Sequence, residues 1–188
     1  MPKLSKSAKV KTASAAYPLD VFYAAAGLKL PRITEIDGAT MLEPYRTLLV
    51  HKGDMTPALE NHYGSSIHIQ ILQMHNKRDS YTREVVLRLD GSERPIEFGA
   101  IEIKLDLFVK KAREEIIEGV RPLGAIMREY SVVHTSRPSA FLQIQSDGVI
   151  NEALELSGNM TLFGRRNTLI NPEGQPLAEI VEILAPAL

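Results

Sequence analysis

Tyr81-Thr82-Arg83-Glu84-Val85-Val86-Leu87-Arg88-Leu89-Asp90-Gly91 is the stretch on which the fold turns. A two-residue period puts Arg83, Val85, Leu87 and Leu89 on one side of an extended chain, and Glu84, Val86 and Arg88 on the other. Asp90-Gly91 is a strong hairpin signal, so the chain returns antiparallel through a strand over 95–105. Upstream, 66–75 alternates as well, with Ile67, Ile69 and Ile71 on one face and His68 and Gln70 on the other, before the polar turn Asn76-Lys77-Arg78-Asp79. Three successive strands make a meander. Within it Arg83 is the anomaly, because a guanidinium cannot shed its charge to escape burial. At the end of an apolar strand face it needs an internal carboxylate, solvent at the sheet's margin, or an enclosed anionic ligand.

Outward from the meander the period becomes helical. A helix is predicted over 18–28, where Val21, Phe22 and Ala25 recur, and a second over 40–50, which Pro44 limits to a late start or a kink. Thr56 before Pro57 reads as an N-cap with proline at the first helical position, opening a helix over 57–63. Beyond the meander lie a charged amphipathic helix over 107–118 and the tight turn Arg121-Pro122-Leu123-Gly124, which opens a short helical stretch. A brief strand over 140–144 and a helical stretch over 148–156 follow. The end is a hairpin of 160–170 and 176–184, turned at Asn171-Pro172-Glu173-Gly174-Gln175. No repeat or low-complexity linker divides the chain. It reads as one α+β domain on an antiparallel sheet over 17–188, preceded by a basic disordered tail over 1–16, with an organelle-targeting peptide as the lesser alternative for that tail.

At 188 residues, 44% of them hydrophobic, the chain has the size of one domain with its own core. A formal net charge of −1 supplies no overall field for nucleic acid or an anionic membrane. Cysteine is absent, which removes disulfides, thiolate catalysis and zinc-thiolate sites and fits a cytoplasmic setting. No run approaches the roughly 20 apolar residues that span a bilayer. The stretch with Lys3, Lys6, Lys9 and Lys11 lacks the continuous apolar core of a secretory signal. The histidines show no metal spacing, and strand alternation puts His68 and His75 on opposite faces. Ser65, Ser66 and Ser136 have no nucleophile-elbow context, and the isolated glycines Gly91, Gly99 and Gly124 form no nucleotide-binding loop.

An ionisable constellation remains. Glu182, in Ile180-Val181-Glu182-Ile183-Leu184, shares its face with Ile180 and Leu184 and is the carboxylate counterpart of Arg83. The two either pair with each other, or Glu182 sits on a solvated strand, or both serve a ligand. Glu97, in Ile96-Glu97-Phe98, is expected at the rim, and Arg165-Arg166 as a solvated pair, since neighbouring strand residues point to opposite faces.

Asp54-Met55-Thr56, Arg83-Glu84-Val85-Val86-Leu87 with Asp90-Gly91, Pro122-Leu123-Gly124, Leu162-Phe163-Gly164-Arg165-Arg166, and Gly174-Gln175-Pro176-Leu177 leading to Glu182 stand in a single order. In that order the chain resembles the chorismate lyase family (chorismate pyruvate-lyases) over most of its length after residue 40. The resemblance implies one sheet of about six antiparallel strands with helices packed on one face. It implies a deeply enclosed site, no cofactor, and a cytoplasmic, monomeric enzyme that eliminates pyruvate from chorismate to leave a hydroxybenzoate. 4-Hydroxybenzoate, a precursor in ubiquinone biosynthesis, is the family's product; a relative making 3-hydroxybenzoate would need only altered placement of water or acid. Roles follow by position. Arg83 matches the arginine that grips a carboxylate of the ligand, and Glu182 the glutamate beside the ring hydroxyl, which makes these two the catalytic candidates. Met55 and Leu123 match positions whose backbone amides hold the carboxylate end. The turn after Gly91 and the stretch 174–182 are each one residue longer than in the lyases, while strand period and the spacing to Pro186 keep Glu182, rather than Val181 or Ile183, on the pocket face.

A second class shares that fold: the effector-binding domains of GntR-type transcription regulators, where a similar cavity senses a small ligand without altering it. Such domains follow a helix-turn-helix domain, and the roughly forty residues ahead of the resemblance are too few to form one, which favours the enzyme. A catalytically silent relative that only carries a hydroxybenzoate is the third reading.

Overall fold

The computed structural model describes residues 14–77 and 80–187. The tail reading of 1–16 therefore falls almost wholly outside the described residues, and Ala16, inside them, is buried. Seven strands are found among the described residues: β1 (Ile33–Ile36), β2 (Ile67–Lys77), β3 (Ser80–Leu89), β4 (Pro95–Ile103), β5 (Thr135–Gln145), β6 (Thr161–Ile170) and β7 (Pro176–Leu184). They form one antiparallel sheet in the order β1-β5-β6-β7-β4-β3-β2. The expected meander is β2-β3-β4 and the expected closing hairpin β6-β7. Their turns use left-handed backbone at Gly91 (φ 80°) and Gly174 (φ 82°), conformations that glycine adopts without a Cβ penalty. Pairing of β4 with β7 joins the two halves, so the middle of the sheet is assembled from chain segments about eighty residues apart.

β1 comes from a stretch that reads as a connection between Pro31 and Gly38. Four residues are too few to show a period, and the strand exists because β5 runs alongside it, pairing Ile33 with Ile144 and Ile36 with Phe141. In β2 a bulge between Ile71 and Gln73 adds a residue and corrects the reading of its histidines. His68 lies opposite Arg88 and His75 opposite Thr82, so both sit on the same face. Among the described residues no cluster of histidine and acidic side chains has metal-binding geometry.

Among the described residues six α-helices cover the sheet: α1 (Leu19–Ala25), α2 (Tyr45–Leu49), α3 (Met55–Tyr63), α4 (Lys110–Glu118), α5 (Leu123–Glu129) and α6 (Gly148–Ala153). α2 starts only after Pro44, as a residue without an N–H directs. α3 begins two residues ahead of Pro57, with Asp54 rather than Thr56 as its N-cap residue. The expected helical layer, α2 to α5, packs on the face that carries Leu87, Leu89, Ile101 and Ile103. A smaller layer covers the opposite face: Leu19 and Phe22 of α1 and Ile150 of α6 pack on Val86, Phe98 and Val181. Both layers follow from β3, β4 and β7 carrying large apolar side chains on their two faces, each worth roughly 1.5–3 kcal/mol when fully buried. No helix among the described residues is long and apolar enough to cross a membrane.

Candidate functional site

Strand register organises the site. On the face under α3 to α5 the side chains fall into three transverse rows. The first is Arg83–Ile101–Ile180–Asn167, the second Val85–Gly99–Glu182–Arg165, and the third Leu87–Glu97–Leu184–Phe163. Successive rows lie roughly 7 Å apart, two residues at about 3.3–3.4 Å each. The middle row carries only Val85 and a glycine on its β3–β4 side, which leaves a hollow. Gly99 is obligatory there: a Cβ would lie 2.3 Å from the Val181 carbonyl oxygen. The resulting pocket holds about 620 Å³ of space between atoms, open solvent at its mouth included. Met55 and Thr56 at the start of α3, the turn Pro122-Leu123-Gly124 and Ile69 close it from above and from the side.

All four residues singled out from the sequence, Arg83, Glu182, Met55 and Leu123, line this pocket. Arg83 is 1% exposed, yet its Nε has no hydrogen-bond partner and its Nη1 donates only a long 3.4 Å bond to the Ile116 carbonyl. The Tyr81 ring lies 6.0 Å from the guanidinium carbon. Burial pulls the Arg83 pKa down, Tyr81 opposes that, and a guanidinium remains charged near neutrality. No carboxylate among the described residues forms an ion pair with it, and pairing of Arg83 with Glu182 is not what the chain adopts.

Glu182 is taken by Arg165. The Arg165 Nε donates to Glu182 Oε2 at 2.5 Å, directly across the β6–β7 register. Arg165 also donates through Nη1 to the carbonyls of Leu49 (3.3 Å) and His51 (3.2 Å), and through Nη2 to that of Gly53 (3.3 Å). One guanidinium thus ties the acidic end of the pocket to the loop that delivers Met55. The expectation of a solvated Arg165-Arg166 pair is corrected for Arg165, which is fully buried. Glu97, expected at the rim, is likewise buried and lines the pocket. The period that singled out Arg83 carries the signal for both: Arg165 shares its face with Phe163 and Leu169, and Glu97 with Gly99 and Ile101. Burial pushes the Glu97 carboxyl well above its ordinary range, the nearby Glu182 charge adds to the rise, and Arg165 opposes it.

The start of α3 is left uncapped. Asp54 occupies the N-cap position, but its carboxylate accepts from His134 Nε2 at 2.9 and 3.0 Å instead of from first-turn amides. Burial lowers the His134 pKa, while its bonds to the Val132 carbonyl and to Asp54 outweigh that and hold it raised. Pro57 has no N–H, so the amides of Met55 and Thr56 are those that α3 leaves for an outside acceptor. Pro122 caps α5 without a side-chain hydrogen bond, and Leu123 is the first residue of that helix. A buried cation, free backbone amides and, across a small apolar hollow, a carboxylate pair suit an elongated acid with a polar far end.

No protein-family model matches this sequence, and no curated protein is similar to it in sequence. Solved structures are similar in fold. The effector domain of PhnF from Mycobacterium smegmatis superposes with a TM-score of 0.55 at 12% identity, over 70% of this chain and 88% of that one. A structure of PhnF from the same organism gives a TM-score of 0.56 at 10% identity, over 91% of this chain and 94% of that one. The ligand-binding domain of a GntR-family transcriptional regulator from Bordetella bronchiseptica gives 0.49 at 12% identity, over 63% and 85%. At such identities the likeness is one of fold, and the fold is that of the effector domain of PhnF.

Proposed function

We propose that the pocket binds a small aromatic carboxylic acid, with its carboxylate on Arg83 and the backbone amides of Met55 and Leu123, its ring over the Val85–Gly99 hollow, and its far end at Glu182. The observation that carries this reading is Arg83, a buried guanidinium with a partnerless Nε, while the carboxylate nearest in role is already paired with Arg165. A ligand carboxylate supplies the missing counter-charge in the geometry a guanidinium fork prefers.

Under the resemblance to chorismate lyases that aromatic acid is the product, a hydroxybenzoate, and the activity is its formation from chorismate by elimination of pyruvate. The ether C–O bond to the ring breaks, a ring proton leaves, the ring becomes aromatic, and the departing enolpyruvate takes up a proton. Atoms balance without an external oxidant or reductant, so the protein's work is to hold and polarise. Arg83 and the amides fix the ring carboxylate, and Glu182 acts at the ether oxygen that departs with enolpyruvate or at the ring hydroxyl that the product keeps. The fold comparison favours a second reading, an effector pocket that binds the acid and leaves it unchanged, since the effector domain of PhnF has this fold.

Incubation of the purified protein with chorismate, with pyruvate followed in a coupled assay, separates the two, and titration with 4- and 3-hydroxybenzoate accompanies it. Pyruvate release that is strongly reduced in Glu182→Gln, with product binding little changed, supports the lyase. Hydroxybenzoate binding without pyruvate release supports the effector pocket. Absence of binding by chorismate and by both hydroxybenzoates refutes both.

A further inference from the structure

Glu97 has no part in the reading above, and no role for it follows from the sequence resemblance. It stands in the third row of the pocket floor, opposite Leu87 on one side and Leu184 on the other, one row beyond the Glu182–Arg165 pair. It is 5% exposed, it lines the cavity, and its Oε2 is buried with no hydrogen-bond partner. The charges around it leave it no counter-ion: Arg165 bonds to Glu182, and Arg83 lies two rows away. An ionised carboxylate there would be a second negative charge beside Glu182 on a buried stretch of the pocket floor, an arrangement proteins avoid by keeping the proton. A protonated carboxyl group carries an O–H donor. At Oε2 no acceptor among the described residues takes it.

We propose that the Glu97 carboxyl group is a second ligand anchor, donating a hydrogen bond to the oxygen substituent at the end of the bound acid remote from Arg83. A phenolic hydroxyl satisfies both carboxyl groups at that end: it donates to Glu182 and accepts from Glu97. The pair therefore selects hydroxylated aromatic acids over the same ring without the oxygen. The charge count agrees. With Glu97 holding its proton, Arg83 is, among the described residues, the one uncompensated charge of the pocket floor, and a monoanionic acid neutralises it. This inference rests on the aromatic-acid reading of the same pocket and adds its specificity.

Calorimetric titration of benzoate, 3-hydroxybenzoate and 4-hydroxybenzoate into the unaltered chain, Glu97→Leu and Glu97→Gln tests it. The unaltered chain should bind one of the hydroxybenzoates about ten-fold or more tighter than benzoate. Glu97→Leu should reduce that preference by about ten-fold while leaving benzoate affinity unchanged or stronger. Glu97→Gln, whose amide still donates, should retain most of it. Benzoate binding also reports that the variants are folded. A hydroxyl preference that survives Glu97→Leu, or one that Glu97→Gln loses as fully as Glu97→Leu does, overturns the anchor while the pocket reading stands. If none of the three acids binds the unaltered chain, the pocket reading fails and the anchor falls with it.

Discussion

Replacing Arg83 with Met separates a residue that serves the fold from one that waits for a ligand, because the two roles predict opposite signs. Methionine keeps the length and the apolar stem of the side chain and removes the charge. In the ligand-free protein the guanidinium gains less from its surroundings than its burial costs: one 3.4 Å bond to the Ile116 carbonyl and an aromatic ring at 6.0 Å, the latter worth about 2 kcal/mol for a desolvated pair. Against that stands the desolvation of a buried cation, several kcal/mol even after relaxation. Exchange of such a charge for an apolar residue of similar volume is neutral or stabilising by about 1–4 kcal/mol. At about 2–4 °C per kcal/mol for a chain of this size, Arg83→Met should melt about 2 °C or more above the parent. Ligand binding should move the other way. Loss of charge-assisted hydrogen bonds worth about 1.5–3 kcal/mol, with the ligand carboxylate left uncompensated, weakens hydroxybenzoate binding by about 100-fold or more. Differential scanning fluorimetry without ligand and isothermal calorimetry with it measure the two halves. A variant that melts several degrees lower and binds hydroxybenzoate within about three-fold of the parent would refute the reasoning.

Arg165→Met should do the opposite to stability, because it strands Glu182 without its partner and releases the carbonyls of Leu49, His51 and Gly53. Breaking a buried pair from one side costs about 3–5 kcal/mol, readable by urea unfolding, and a loss below about 1 kcal/mol would show that the pair contributes little. Glu84, buried on the opposite face with a single 3.3 Å bond from Gln73, has its carboxyl pushed by burial from 4.5 up to about 7. Between those values the folded chain holds a proton that the unfolded chain has released. Its contribution is therefore complete below about pH 4.5 and is lost as pH rises through about 7. Glu84→Gln should match the parent near pH 4 and exceed it near pH 8, by about 3 kcal/mol at most. An equal difference at both pH values would remove Glu84 as the source.

Much of the site was legible because strand alternation is a local rule. Arg83 and Glu182 each stand among apolar neighbours two residues away, and both end in the pocket. Arg165 and Glu97 obey the same rule yet read from sequence as surface residues, because a doublet of arginines and a glutamate near a turn ordinarily face water. Their burial depends on what covers them: the 49–53 loop over Arg165, and the Gly99 hollow beside Glu97. The bulge in β2 is of the same kind, since one added residue reverses the face of His75 with no mark in the alternation before it.

The sequence by itself determined the meander, the closing hairpin, and the need of Arg83 for a partner or for solvent, because each rests on neighbours within a few residues and on the fixed charge of a guanidinium. Only the tertiary structure decided which carboxylate answers which cation. That choice depends on the β4–β7 and β6–β7 registers, which set Arg165 opposite Glu182 and leave Arg83 a row away. Register between strands distant in sequence is settled by packing on both faces of the sheet, so the partnerless state of Arg83 and the burial of Glu97 appear only once the chain is folded.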